Sequence, residues 1–157
     1  MTYEYLYQTS LGEIRITEKN NHIIGTGFRK IAEEAIRKET PLIRETYRQL
    51  TGYLAGERLV FDIPLKPEGT PFQLKVWDIL TSIPYGTTAS YRQVAEKAGN
   101  AGGARAVGMA LHHNPVLILI PCHRIIGTKG DLTGFAAGLE IKKKLLDLEK
   151  THILAER

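Results

Sequence analysis

The segment Lys66-Pro-Glu-Gly-Thr-Pro71 packs two prolines and a glycine into six residues, and the apolar pattern differs on its two sides. Proline fixes φ and donates no backbone hydrogen bond, so neither a helix nor a central strand runs through such a stretch. The chain therefore has to fold as a strand-rich part and a helical part joined by a linker, with boundaries expected at 1–68 and 69–157. Before the linker, "YEYLYQT", "EIRIT" and "HIIGTGF" are short and rich in β-branched and aromatic residues. Leu11-Gly12 and Asn20-Asn21 separate them, which predicts three strands. "LVFDIPL" is expected to add one more. Between these, Ile43, Tyr47, Leu50 and Leu54 recur at helical spacing and predict a helix over 42–54 that closes at Gly56.

After the linker the spacing is helical. Phe72, Val76, Ile79 and Leu80 share one face of "PFQLKVWDILTSI", and Pro84-Tyr-Gly86 stops it. Ser90 and Gln93 have the spacing of a capping box, which predicts a helix start at "SYRQVAEKAGN". A glycine-containing turn and a second short helix, "GARAVGMALHHN", complete the outline of a helix-turn-helix. Ala104, Val107, Gly108 and Leu111 are expected to pack inward, leaving Arg105, Met109 and His112 on an adjacent face. Small residues surround Arg105, so this helix could approach a large polyanion closely. A packed core helix with one solvated arginine has the same pattern.

Charge sharpens the division. The chain has 157 residues and a net charge of +4, and ten Lys/Arg balance ten Asp/Glu over 1–69. The surplus lies wholly in 70–157, with eleven Lys/Arg against seven Asp/Glu. A basic half suggests an anionic partner. Apolar residues at 43% and charged residues at 24% suit a soluble globular protein. The apolar run Val116–Ile120 is far too short to span a membrane. The opening "MTYEYLYQTSLGE" lacks the basic start and apolar stretch of a secretory signal. With one cysteine, an internal disulfide is impossible, and a cytoplasmic protein is expected.

That cysteine sits in "ILIPCHRII" (118–126). Lone cysteines are usually structural, being among the most buried residue types. A nucleophilic one needs its thiolate, and therefore a neighbour that favours ionisation. His123 adjoins Cys122, yet consecutive residues of an extended chain point to opposite sides, so a turn or a water is needed to pair them. The last helix offers a second clue. Ile141, Leu145 and Leu148 read as its core stripe, with Lys142, Lys143 and Lys144 expected on the outer surface. Glu149 falls on the buried edge, where a carboxylate requires a partner. Oriented His123 would be one, giving a nucleophile, base and orienter in Cys122, His123 and Glu149. A helix-end carboxylate paired with Arg157 is the alternative. A metal centre from His112, His113, Cys122 and His123 lacks zinc-ligand spacing, so no metal is expected.

"PCHRII", preceded by "ARAVGMAL" and "NP" and followed by a glycine-rich turn and "LLDLE", strongly resembles the O6-alkylguanine-DNA alkyltransferases. The match is strong over 70–150, a little over half the chain. The resemblance implies an α/β N-terminal domain of ribonuclease-H-like fold, with a small antiparallel sheet plus a helix. It also implies a mainly α, winged-helix-like C-terminal domain containing the helix-turn-helix. Function would be direct-reversal repair of double-stranded DNA by a monomer without a cofactor. The alkyl group of O6-alkylguanine, and of O4-alkylthymine, would pass to Cys122 in a single turnover.

In that scheme His123 deprotonates Cys122 through a water, and Glu149 orients His123. Tyr91 helps rotate the nucleotide and later protonates it, while Arg105 fills the vacated base stack. Asn114 ties the helix-turn-helix to the reactive loop. Arg92, Asn100 and Thr128 correspond to backbone-contacting positions, and Gly108 lies on the recognition helix, which would enter the minor groove. Two departures stand out. Phe135 replaces a frequent tyrosine at the pocket border, and Ala136-Ala137 replaces a smaller or more polar pair, which would narrow the pocket. Rival functions are a cysteine hydrolase, whose thioester would turn over repeatedly, and a DNA-binding regulator with a structural cysteine.

Overall fold

The computed structural model describes residues 1–28, 32, 34–100, 102–135 and 137–155, with side chains as far as His152 in the last stretch. Ala136 and Arg157 lie outside the described residues. The chain forms two compact units, Met1–Glu68 with Pro115–Leu117, and Gly69–Asn114 with Ile118–Arg157.

In the first unit, β1 (Thr2–Thr9), β2 (Gly12–Lys19) and β3 (His22–Gly27) form an antiparallel meander. Asn20 and Asn21 have φ of 51° and 63° and close the β2–β3 turn. Asparagine tolerates this left-handed conformation, whose twist matches that of the strands. The two-residue strand β4 (Ile36–Arg37) pairs parallel to β1, giving the order β3-β2-β1-β4. The sheet is thus mixed, not purely antiparallel as expected. Two residues are too few to show a strand period, which is why β4 escaped the sequence pattern.

"LVFDIPL" does not form the expected strand; only Leu65 bridges Ile23. Ile23 N donates to the Pro64 carbonyl at 2.8 Å, and Lys66 N donates to the Ile23 carbonyl at 3.0 Å. Pro64 itself has no N–H with which to extend the ladder. Helix α1 (Pro41–Leu54) starts at Thr40, whose side chain accepts from Ile43 N, and buries Ile43, Thr46, Gln49, Leu50 and Tyr53. Its inward face is therefore more polar than the predicted stripe. Gln49 is satisfied by the Asp62 backbone, receiving from its N–H at 2.8 Å and donating to its carbonyl at 3.2 Å. Pro115–Leu117 joins this unit by hydrogen bonds to β3, with Thr26 N to Pro115 O at 2.9 Å and Leu117 N to Thr26 O at 3.1 Å. A single cut at 68/69 does not describe that insertion.

The second unit contains α2 (Pro71–Thr81), α3 (Tyr91–Lys97), α4 (Ala104–His112) and α5 (Leu139–Ala155). A short parallel pair, β5 (Ala89–Ser90) with β6 (Ile125–Ile126), completes it. Capping boxes start α2 at Thr70/Gln73 and α3 at Ser90/Gln93, the latter as predicted. On α4 the buried residues are Val107, Ala110 and Leu111, whereas Ala104 is exposed and Gly108 half-buried. The inward stripe begins a turn later than expected. On α5 the buried residues are Lys142, Leu145 and Glu149, not the predicted Ile141–Leu145–Leu148 stripe. Trp77 locks α2 to α4, its indole N–H donating to the Ala110 carbonyl at 2.8 Å.

Trp77→Phe leaves the buried Ala110 carbonyl without its indole donor. Such a loss costs about 1–3 kcal/mol before the reduced packing is counted. The variant should unfold at lower denaturant with an unchanged m-value, followed by circular dichroism because Trp77 is the only tryptophan.

Candidate active site

The site is assembled around a turn rather than a strand. Pro121 leads into a single 3-10 turn, Cys122–Arg124, followed at once by β6. A turn of this tightness rotates successive side chains by about 120°, so Cys122, His123 and Arg124 need not alternate as they would in an extended chain. The approach is constrained too. Ile118 has φ of 75°, a left-handed conformation that β-branched residues rarely adopt. Across that strained point, Asn114 Nδ2 donates to the Ile120 carbonyl at 2.9 Å, and Cys122 N donates to the same carbonyl at 2.8 Å. Asn114 also hydrogen-bonds the Cys122 side chain.

Behind the cysteine lies a buried ionic cluster centred on Glu149. His123 Nε2 is 2.7 Å from one carboxylate oxygen. Arg124 grips both oxygens, Nε at 2.8 Å and Nη2 at 3.0 Å. The Gly86 N–H adds a bond at 3.1 Å, from a turn in which Gly86 takes φ of 78°. Arg124 Nη1 further donates to the Ile83 carbonyl at 2.7 Å, and the guanidinium lies 5.7 Å from the Tyr85 ring centroid. Cys122, His123 and Glu149 are 2%, 0% and 1% exposed.

Burial acts to raise the Glu149 carboxyl, but the bonds and charges of His123 and Arg124 overcome it and hold the pKa at about 2. An ionised carboxylate only accepts, so His123 Nε2 carries the proton and Nδ1 is its basic nitrogen. Burial pushes the His123 pKa below its ordinary value despite the neighbouring carboxylate. Burial likewise drives the Cys122 thiol up to about 11, against the opposing effects of Asn114 and the Lys142 charge. The resting pair is therefore a neutral thiol and a neutral imidazole.

Cys122 opens onto a cavity of about 540 Å³. Helix α4 contributes Ala104, Arg105, Gly108, Met109, Leu111 and His112 to its lining, α3 contributes Tyr91, and a loop contributes Gly134 and Phe135. The structure thus bonds Asn114 to Cys122 and His123 to Glu149, on neighbouring residues of one turn, and sets Tyr91, Arg105, Gly108 and Phe135 around the cavity. Arg92, Asn100 and Thr128 are exposed and do not line it; Arg92 pairs with Glu96 at 3.4 Å. Ala137 is half-buried and also off the wall. A second cavity of the same volume is lined by Ile79, Pro84, Gln93 and Lys97 among others, with neither cysteine nor histidine in its lining.

Sequence reasoning missed Arg124 and Lys142. Arg124 was readable as part of "PCHR", but its role as the carboxylate's fork depends on the turn. Lys142 lies three residues before Leu145 and seven before Glu149, on the same buried stripe. It was expected outside with Lys143 and Lys144, which are indeed exposed. Grouping three consecutive lysines hid the one that faces inward.

A buried thiol lines a cavity beside an arginine-bearing helix, and a histidine–carboxylate pair is buried behind it. The models for the 6-O-methylguanine DNA methyltransferase DNA binding domain and its ribonuclease-like domain match residues 71–151 and 2–67. The chain is 41% identical over 153 residues to a methylated-DNA–protein-cysteine methyltransferase of Methanosarcina acetivorans, covering 94% of this chain and 97% of the relative. It is 40% identical over 159 residues to the constitutive enzyme of that name from Bacillus subtilis, covering 96% of each. The crystal structure of Mycobacterium tuberculosis OGT in complex with DNA superposes with a TM-score of 0.90 at 36% identity, covering 96% of this chain and 94% of that one. The chain belongs to the 6-O-methylguanine DNA methyltransferase family, with a ribonuclease-like N-terminal domain and a helical DNA-binding domain.

Glu149→Gln removes the counter-charge of a buried guanidinium and should destabilise the fold by about 3 kcal/mol or more. His123 and Glu149 both have folded pKa values below the unfolded ones, so both stabilise the fold at neutral pH. Stability should fall as pH drops, through His123 from about 6.5 downward and through Glu149 from about 4.5 toward 2. Melting temperature against pH should show a shallower decline below about 4.5 in Glu149→Gln than in the parent.

Proposed function

We propose that this protein repairs DNA by direct reversal, moving the alkyl group of O6-alkylguanine in a duplex onto Cys122 once per molecule. The observation that carries this is the placing of one buried thiol at the floor of a cavity whose rim bears Arg105 and Tyr91. The target atom lies inside the base stack, so the nucleotide must be extruded at a cost of a few kcal/mol. Arg105, exposed on a helix of small residues, fills the space the base leaves. Tyr91 guides the rotating nucleotide. Gly108 lets α4, part of a winged-helix-like domain spanning 69–157, approach the DNA backbone in the minor groove. Arg92, Asn100 and Thr128, all exposed, hold phosphates on either side.

Chemistry follows from the neutral resting pair. Cys122 gives its proton through one water to His123 Nδ1, and Glu149 stabilises the imidazolium through Nε2. The thiolate attacks the alkyl carbon in line, the carbon–O6 bond breaks, and Tyr91 supplies a proton to the departing guanine. Restored guanine and an S-alkyl cysteine result. A thioether resists hydrolysis, so the protein is consumed, and no cofactor enters the balance. O4-alkylthymine has the same alkyl–oxygen bond and is a second substrate. Phe135 offers the cavity an aromatic face without a hydroxyl, which favours apolar alkyl groups over contact with the guanine oxygen. A reactive thiol of this kind belongs in a reducing compartment, the cytoplasm. The protein works as a monomer.

Incubation with a duplex containing O6-methylguanine should add one methyl to Cys122, at one equivalent per protein, by peptide mass mapping. Cys122→Ala should bind the duplex and gain no mass; repeated turnover would refute the suicide chemistry. Arg105→Ala should slow transfer from duplex DNA roughly 100-fold, the rate equivalent of a few kcal/mol of extrusion. Its alkylation by a small electrophile in the absence of DNA should be unchanged.

A further inference from the structure

We propose that Lys142 is a positioning residue for the alkyl transfer, holding the loop wall of the cavity against the cysteine turn and supplying positive charge to the thiolate. Its side chain is fully buried. Nζ donates to the Ile125 carbonyl at 2.6 Å, immediately after the Cys122–Arg124 turn, and to the Thr133 carbonyl at 3.1 Å. The Thr133 hydroxyl is hydrogen-bonded to Tyr91 Oη at 2.5 Å. Gly134 and Phe135, which follow Thr133, form the cavity wall. One ammonium therefore fastens the residue after the reactive turn to the loop, and Thr133 in turn ties that loop to Tyr91 of α3.

Fastening alone does not require a charge, and burying one is costly without an opposite partner. Among the described residues no carboxylate forms an ion pair with Lys142. The titratable groups that its charge reaches are Cys122 and His123 of the turn, with Tyr91 beyond Thr133, and Glu149 and Arg124 lie behind His123. Glu149 and Arg124 neutralise one another through a two-point bridge. Burial pushes the Lys142 ammonium down and the Cys122 thiol up, and each group's charge opposes that effect at the other, while the same ammonium disfavours protonation of His123. Proton transfer from Cys122 to His123 creates the anion that the buried ammonium otherwise lacks. This role rests on the alkyl-transfer function proposed above, because it is the thiolate of that reaction that needs the charge.

Three proteins separate the possibilities: the parent, Lys142→Met, which keeps the length and loses the charge, and Lys142→Arg, which keeps the charge. Each is assayed for single-turnover methyl uptake from an O6-methylguanine duplex, and for iodoacetamide alkylation of Cys122 without DNA from about pH 6 to about pH 11. Lys142→Met should lose at least about tenfold in both rates near neutral pH, one pKa unit or more of thiolate. The midpoint of its iodoacetamide profile should move to higher pH. Lys142→Arg should return that midpoint towards the parent value while methyl uptake stays slow, because the larger guanidinium displaces the loop. Lys142→Gln provides the same neutral comparison where the methionine variant fails to fold. An unchanged midpoint in the neutral variants overturns the charge role, and unchanged methyl uptake overturns the positioning role. A parent protein that takes up no methyl group refutes the repair function instead, a result told apart because the thiol profile is read without DNA.

Discussion

The two-point bridge between Arg124 and Glu149 governs the geometry of everything near the cysteine. One partner lies in the turn that follows Pro121 and the other near the end of α5, so their pairing fixes a helix against a turn. Guanidinium and carboxylate meet as planar forks, and this sets orientation as well as distance. Once the carboxylate plane is fixed, His123 has one available approach to it, and its Nε2 is committed to that bond. The other nitrogen is left unprotonated. A lysine at position 124 could balance the charge but would leave the carboxylate free to rotate. The Gly86 N–H brings the turn after α2 into the same arrangement. The carboxylate proposed to orient His123 is thus also a structural clamp, with one buried charge for both.

Burial has an apparently perverse effect on the chemistry. It pushes the Cys122 thiol up and the His123 imidazole down, both against ionisation. For a protein that reacts once, this is coherent. A permanently ionised thiolate would meet adventitious electrophiles and oxidants before it met DNA, since reactivity follows thiolate fraction. A neutral pair inside a cavity stays unreactive until a substrate excludes solvent and presents its alkyl carbon. The groups that oppose burial at the sulfur, Asn114 and Lys142, then act at short range in a low-dielectric setting, where each is worth more than in water.

Legibility in the sequence followed the range of the interactions. Local devices read well: the three meander strands, the asparagine turn and the Ser90/Gln93 capping box each depend on neighbours within a few residues. Glu149 was visible as a carboxylate on the buried side of its helix, and its link to His123 was open until the fold placed them 2.7 Å apart. Three kinds of feature were not legible. The edge strand β4 is shorter than any period. "LVFDIPL" has strand composition but meets β3 at a proline, so it bridges once and stops. Lys142 was assigned by its charge to solvent, whereas two carbonyls and a thiol from other segments give it a buried place. Charge predicts exposure only while the partners that would offset burial are unknown.

Gly108 shows how the same logic separates a structural glycine from a functional one. It lies inside α4, where glycine is less favourable than alanine by about 1 kcal/mol. Its φ is not among the positive values, so the backbone does not demand it. A Cβ added there would lie 3.8 Å from the Tyr91 ring, an ordinary contact, so packing does not demand it either. The remaining environment of this position is the cavity it lines, between Arg105 and Met109. Absence of a side chain there leaves the cavity open, as the proposed close approach of DNA requires. A helix that forgoes stability at this point, beside an exposed arginine and an exposed methionine, fits the proposed contact with a large surface better than a role in its own fold.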